Sequence, residues 1–302
     1  MDREIFMKLA IDSYCYHRYF GEFYEGLQKD IRERRTVWQI LDRAKRLACV
    51  GISLESCYLP AQEPQFREEL KRTLQRKNFE VVWAWGHPNG LYSGTNAEAE
   101  VDLVRHIEYA REIGAKVMRI VGGSWRTKPP RWNEHRRLML AALKRIIRHA
   151  EQAGVVLALE NHLDMTADQL RELMLAINSP YLGVCLDTAN NLRMFEYPVE
   201  VAEKLAPWVR ATHIKDITAY RGDPRTFGFW PSVPLGEGAV EIPKILEILR
   251  NAGYTGLLAI EIDFLHPRYK SEDRAVARSV RYLSSLLRSM NKNHVEKHVV
   301  NS

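Results

Sequence analysis

Four side chains suited to hard cations close short apolar runs in the second half of the chain: Glu160, Asp187, His213 and Glu261. Three carboxylates and one imidazole form an oxygen-rich set. It suits one divalent ion, with Mn²⁺ fitting best and Mg²⁺ or Co²⁺ as alternatives, better than it suits a structural zinc. Two residues before each candidate stands a small residue: Ala158, Cys185, Ala211 and Ala259. Side chains alternate across a strand, so each small residue shares a face with its candidate ligand and leaves room beside it. The intervening Leu159, Leu186, Thr212 and Ile260 face the other way, and three of them are strongly apolar. Taken singly, a strand-end Asp or Glu is ordinarily a helix cap or ion-pair partner. Four in the same position on successive strands read as a single metal site.

A divalent ion that chelates a carbonyl oxygen and the neighbouring hydroxyl acidifies the C–H between them and stabilises the enediolate. A base must reach that carbon, and an acid must return a proton or release a leaving group. His162, two residues after Glu160 on the same face, is a candidate neutral base; its bland reading is a surface or supporting histidine. His87 after the third apolar run and Glu55 at the end of the second are weaker pocket candidates. Lys215, two residues past His213, either binds a substrate oxygen or pairs with a carboxylate.

Residues so far apart in sequence meet only if the fold gathers strand ends together. Eight apolar runs recur: KLAID (8–12), GISLES (51–56), EVVWAWG (80–86), KVMRIVG (116–122), VVLALEN (155–161), LGVCLD (182–187), RATHIKD (210–216) and LLAIEI (257–262). They lack strict alternation, as strands buried on both faces of a parallel sheet do. Helical periods lie between them, for example Val37, Ile40, Leu41, Ala44, Leu47 and Ala48, or Leu138, Ala142, Ile146 and Ala150. Gly51, Gly114, Gly154 and Gly253 stand where helices should end. The alternation predicts an α/β chain forming a single (β/α)8 TIM barrel over 1–290, followed by a loose polar tail at 291–302. An open doubly wound sheet is the alternative. In a barrel, the carboxyl ends of the strands converge on one pocket. No GxGxxG follows the first run and no GxxxxGK[ST] occurs, which argues against dinucleotide and P-loop sites.

With 302 residues the chain can bury a large core without staples, and its four cysteines show no CxxC pair. They read as reduced thiols of a cytoplasmic protein. The amino terminus lacks a signal-peptide pattern, and no apolar run approaches the roughly 18–20 residues a membrane span needs. The net charge of +6 keeps nucleic acid open as a partner, but the basic residues are scattered over helix faces.

The motifs ALENH (158–162), CLDTANN (185–191), THIKD (212–216), PLGEG (234–238) and AIEID (259–263) resemble the xylose isomerase-like superfamily of sugar phosphate isomerases and epimerases. The resemblance spans essentially the whole chain and is densest from residue 155 onward. It implies a barrel that binds one divalent cation through Glu160, Asp187, His213 and Glu261. It also implies a small sugar or glycoside substrate and catalytic acid–base roles for Glu160 and Glu261. The chain departs from the ketose epimerase pattern at Asn190, where a substrate-binding histidine is usual, and at Ala219, where an arginine is expected and Arg221 stands nearby. His162 resembles the base of C-glycoside deglycosidase metal subunits, which act on 3-oxo-glycosides. The aromatic stretch SYCYHRYFGE (13–22) would suit an aglycone, and the long segment 217–239 a lid.

The leading expectation is therefore a metal-dependent sugar isomerase or epimerase. His162, Glu160 and Glu261 are its catalytic candidates, and His87, Asn190, Lys215 and Arg221 its substrate contacts. A lyase that eliminates an aglycone or water is the runner-up. An apurinic endonuclease is disfavoured, because it needs further histidines where Asn190 and a histidine-free 217–239 stand. A non-catalytic binding barrel, and assembly with a like or unlike subunit, stay compatible with the sequence.

Overall fold

The apolar runs become the staves of a closed barrel. In the computed structural model, which describes residues 7–300 with side chains through 291, the first seven are β1 (Lys8–Asp12), β2 (Gly51–Glu55), β3 (Glu80–Trp85), β4 (Val117–Ile120), β5 (Val156–Glu160), β6 (Leu182–Asp187) and β7 (Val209–Ile214). A short antiparallel pair, β8 (Asp216–Ile217) and β9 (Ser232–Val233), precedes the last stave, β10 (Leu257–Ile260). Neighbouring staves are parallel, and β1 pairs with both β2 and β10, which closes the ring. The open-sheet alternative is thereby excluded.

The helices form where the sequence supplies starts and stops. Thr36 and Gln39 make a capping box ahead of Val37–Arg46, whose Val37, Ile40, Leu41 and Ala44 are buried against the barrel. Thr166 and Gln169 repeat the device before Ala167–Ile177. Gly114 and Gly154 end their helices in the left-handed conformation, at φ 88° and 65°. Gly51 plays another part: it is the first residue of β2, and an added Cβ would lie 2.4 Å from Leu257.

Inside the barrel the small residues form their own layer. Ala10, Ala158, Cys185, Ala211 and Ala259 are buried together with Val82 and Leu257. Leu159, Leu186 and Ile260 join the larger core between staves and helices. Register shows why the small ring carries the site, since Asp187 and Ala259 both stand beside His213.

The segment after β7, expected as one long loop, is anchored at its root. Asp216 accepts backbone N–H bonds from Gly236, Gly238 and Val240 at 2.9–3.0 Å. A Cβ at Gly238 would lie 2.1 Å from the Asp216 carboxylate, so the GEG of the PLGEG motif serves this wrap. Residues 291–300 continue the final helix, Glu272–Val300, where a loose tail was expected. That stretch contains no proline or glycine to stop a helix. Residues 301–302 lie outside the described residues. No helix among the described residues is long and apolar enough to cross a membrane.

Candidate metal centre and cavity

Glu160 and Asp187 are the last residues of β5 and β6, His213 is the fifth of β7, and Glu261 follows β10. Glu160, Asp187 and His213 each offer a ligand atom, all within 4.8 Å of one another. Glu261 completes the set, with Oε2 3.3 Å from His213 Nδ1; Glu160 Oε1 lies 3.6 Å from the same nitrogen. All four residues are buried. Glu160 Oε2, Asp187 Oδ2, His213 Nδ1 and Glu261 Oε2 make no well-aligned hydrogen bond among the described residues, although Lys215 Nζ stands 2.8–2.9 Å from the Asp187 and Glu261 oxygens and Arg119 Nε 3.1 Å from Glu160 Oε2. Buried carboxylates left in this state are costly unless a cation shares them. One ligand atom from each expected ligand, gathered around a single point, is the pattern a divalent ion fits.

Neighbours hold these candidate ligands in place. Asp187 Oδ1 accepts the backbone N–H groups of Ala189 and Asn190, and Asn190 Nδ2 donates to Glu160 Oε1 at 3.1 Å. Asn161 locks the two motifs together: its amide donates to the Asp187 carbonyl, and its oxygen accepts the Asp187 N–H. Lys215 takes the carboxylate-pairing role. Its Nζ stands 2.9 Å from Asp187 Oδ2, 2.8 Å from Glu261 Oε2 and 3.3 Å from Asp263 Oδ2.

Several groups at this centre escaped the sequence reading. Arg119 projects inward from β4, with Nε 3.1 Å from Glu160 Oε2 and its guanidinium also bonded to Glu55. Burial alone would raise the Glu160 carboxyl, but the charges of Arg119 and His213 outweigh it and hold Glu160 well below the usual range. Arg193 pairs with Asp263 at 2.8 Å and donates to Asn190 Oδ1. Asp12, at the end of β1, places Oδ2 3.3 Å from His213 Nε2. All but Arg193 had a signal: Arg119 is a charge in the middle of an apolar run. Asp12 and Asp263 are acids at strand ends, and Ala10 precedes Asp12 by the spacing that marked the ligands.

Above these four residues lies a small cavity of about 60 Å³, lined by Glu160, Glu261, Lys215, Asn190, His162 and His87 among others. His162 Nδ1 is 2.9 Å from the Gly123 carbonyl. A carbonyl can only accept, so Nδ1 carries the proton and Nε2 of the neutral ring is left as a base. Burial lowers the His162 pKa, and Arg119 and Lys215 push the same way against Glu160. His87 bonds Glu22 at 2.8 Å, and Tyr58 donates to the same carboxylate.

Tyr14 and Tyr24 share a hydroxyl hydrogen bond of 2.6 Å, and Tyr24 meets Phe227 with ring centroids 4.7 Å apart. The aromatic first loop and the long seventh loop therefore meet over the cavity. Arg221 is not brought to it: its guanidinium is exposed and donates to the Tyr220 hydroxyl.

Comparison with known proteins places this geometry. A 3-oxo-isoapionate decarboxylase from Pectobacterium atrosepticum is 29% identical over 160 residues, 53% of this chain and 56% of that protein. The chain thus matches little more than half of that relative's length. An inosose dehydratase from Clostridium beijerinckii is 23% identical over 242 residues, 70% of this chain and 76% of that protein. The fold is shared with a xylose isomerase domain protein from Planctomyces limnophilus at 19% identity and TM-score 0.74, covering 96% of this chain and all of that one. It is shared too with the IolI protein carrying a zinc atom, at 17% identity and TM-score 0.73, covering 93% and 98% of the two chains. The family model for the xylose isomerase-like TIM barrel matches residues 41–286, and the chain belongs to that family.

Proposed function

We propose that this protein is a divalent-metal-dependent enzyme of sugar-derived ketones, that His162 removes the proton beside the carbonyl, and that a leaving group is then lost. The tautomer of His162 carries this reading: with Nδ1–H committed to Gly123, Nε2 is the proton acceptor on the cavity wall beside Glu160. A divalent ion held by Glu160, Asp187, His213 and Glu261 would supply the charge that stabilises a developing enolate oxygen. Lys215 sits as an ammonium at the same wall, where its positive charge would stabilise a departing or developing oxyanion. Asn190 and Arg119 engage the two oxygens of Glu160, which favours orientation over proton transfer at that carboxylate.

Relatives named for decarboxylation of 3-oxo-isoapionate and dehydration of inosose support a lyase. An isomerase or epimerase is the second reading. It is favoured by Glu261, a second buried carboxylate on the cavity wall, because inversion at carbon needs acid–base groups on two faces. Four free cysteines fit a reducing compartment, and we assign the protein to the cytoplasm.

The test is a panel of oxo-sugars, oxo-sugar acids and 3-oxo-glycosides in deuterated buffer with Mn²⁺, followed by NMR. Loss of water, carbon dioxide or an aglycone, abolished by EDTA and by His162→Gln, is the expected result. Deuterium incorporation with only an epimer or isomer formed would move the assignment to the second reading. Turnover unaffected by EDTA would overturn both.

A further inference from the structure

The ring of His213 has a carboxylate on each edge, and the two edges are not equivalent. On the Nδ1 edge, Glu261 Oε2 at 3.3 Å and Glu160 Oε1 at 3.6 Å gather around one point. On the Nε2 edge stands Asp12 alone, with Oδ2 at 3.3 Å. Asp12 is fully buried; its Oδ1 accepts the Tyr14 N–H at 2.6 Å, and neither its Oδ2 nor His213 Nε2 has a hydrogen-bond partner among the described residues apart from this mutual contact.

Strand register makes the contact. β10 lies between β1 and β7, with Ala259 beside both Ala10 and His213. Because the inward residue of the intervening strand is only a methyl group, the imidazole can reach across it to the end of β1. A larger residue at 259 would stand between them.

We infer that Asp12 is a positioning residue that accepts the Nε2–H of His213 and thereby fixes the tautomer that presents Nδ1 to the cation. The inference rests on the four-ligand reading above. A neutral imidazole has one N–H and one lone pair, and whichever nitrogen faces an isolated carboxylate keeps the hydrogen. A carboxylate behind a ligating histidine fixes ring orientation and raises the ring's basicity. Asp12 cannot itself be a ligand to the same ion, since it lies on the edge of the ring opposite Glu160 and Glu261. The role also accounts for a fully buried acid that touches no substrate-facing surface.

Metal affinity of the purified chain tests this directly. Mn²⁺ binding is measured by calorimetry for the wild type, Asp12→Asn and Asp12→Ala, each first checked for folding by circular dichroism and thermal melting. The amide oxygen of Asp12→Asn still accepts a hydrogen bond, so that variant should keep most of the affinity. Asp12→Ala should bind roughly 10–100-fold more weakly. Nitrogen-15 shifts of the histidine rings in the Zn²⁺-loaded wild type should show His213 metallated at Nδ1 and protonated at Nε2. Equal Mn²⁺ affinity in wild type and Asp12→Ala, or zinc on Nε2, overturns the role of Asp12 and leaves the ligand set standing. A wild type that binds no Mn²⁺ overturns both. If Asp12→Ala does not fold, wild-type affinity in Asp12→Asn combined with zinc on Nδ1 supports the proposal, and zinc on Nε2 refutes it.

Discussion

Arg119 Nε stands 3.1 Å from Glu160 Oε2 while the same guanidinium bonds Glu55, so one buried cation serves two buried carboxylates on different staves. Arg119→Met would leave both acids without it. Removing one partner of a buried ion pair costs about 3–5 kcal/mol, because the remaining charge stays desolvated. We expect urea melts in EDTA to show a loss of that size. Added Mn²⁺ should stabilise the variant more than the wild type, since Glu160 then regains a positive neighbour. Wild-type stability in EDTA would mean that Arg119 is not the counter-charge.

His162 touches none of the proposed ligands through a hydrogen bond; its fixed contact is the Gly123 carbonyl. Its removal should therefore separate chemistry from metal binding. His162→Gln should lower kcat by about 10²–10⁴-fold, the range for loss of a general base. Its Mn²⁺ affinity should stay within about a factor of two of the wild type, the difference expected when no ligand is lost. A large fall in affinity with intact turnover per bound ion would make His162 a supporting residue.

The barrel and the cluster of Glu160, Asp187 and His213 were legible because both rest on strand periodicity. All eight apolar runs became staves, and the small ring under the ligands followed from parity alone. Arg119, Asp12 and Asp263 obey the same parity, but a charge inside a strand reads as a site only once it is known what faces it across the barrel. Arg221 fails for the opposite reason. It lies in a loop where proximity in sequence to a family position fixes no direction, and its side chain turns to Tyr220 at the surface. Over 291–300 the polar sequence holds no breaker, and a polar stretch of that kind readily extends a helix.

Phe227 caps the cavity by packing on Tyr24 and lying under the guanidinium of Arg193 at 4.5 Å. A cavity of about 60 Å³ is far below the roughly 300 Å³ at which ligand pockets begin, so Phe227 stands where it would restrict entry of a sugar-sized molecule. Phe227→Ala removes an aromatic pair and a cation–π contact, each worth about 0.5–1.5 kcal/mol. If the cap closes equally over substrate and transition state, KM rises by about fivefold or more with kcat little changed. A fall in kcat at constant KM would instead place Phe227 in the chemical step.

Behind the loop that carries His162, Asp164 is buried with neither oxygen hydrogen-bonded, 3.7 Å from His135 Nε2. Burial pushes the Asp164 carboxyl up to about 7, so the folded protein keeps this proton where the unfolded chain has lost it. Between the ordinary carboxylate value and about pH 7 the folded state thus binds one more proton than the unfolded state. Stability must fall as pH rises through that window, on the order of 1.4 kcal/mol per pH unit, with the contribution lost above it. His135 gives an opposite slope: burial, with the charge of Lys128, pushes it down to about 4, so its contribution grows as pH rises towards its ordinary value. That slope is common to wild type and Asp164→Asn and cancels in their difference. Urea melts at pH 5, 6, 7 and 8 should therefore show the stability advantage of wild type over Asp164→Asn shrinking steadily with pH and levelling off near the top of the range. Parallel profiles would mean that Asp164 is ionised in the folded state throughout, with a partner for its charge.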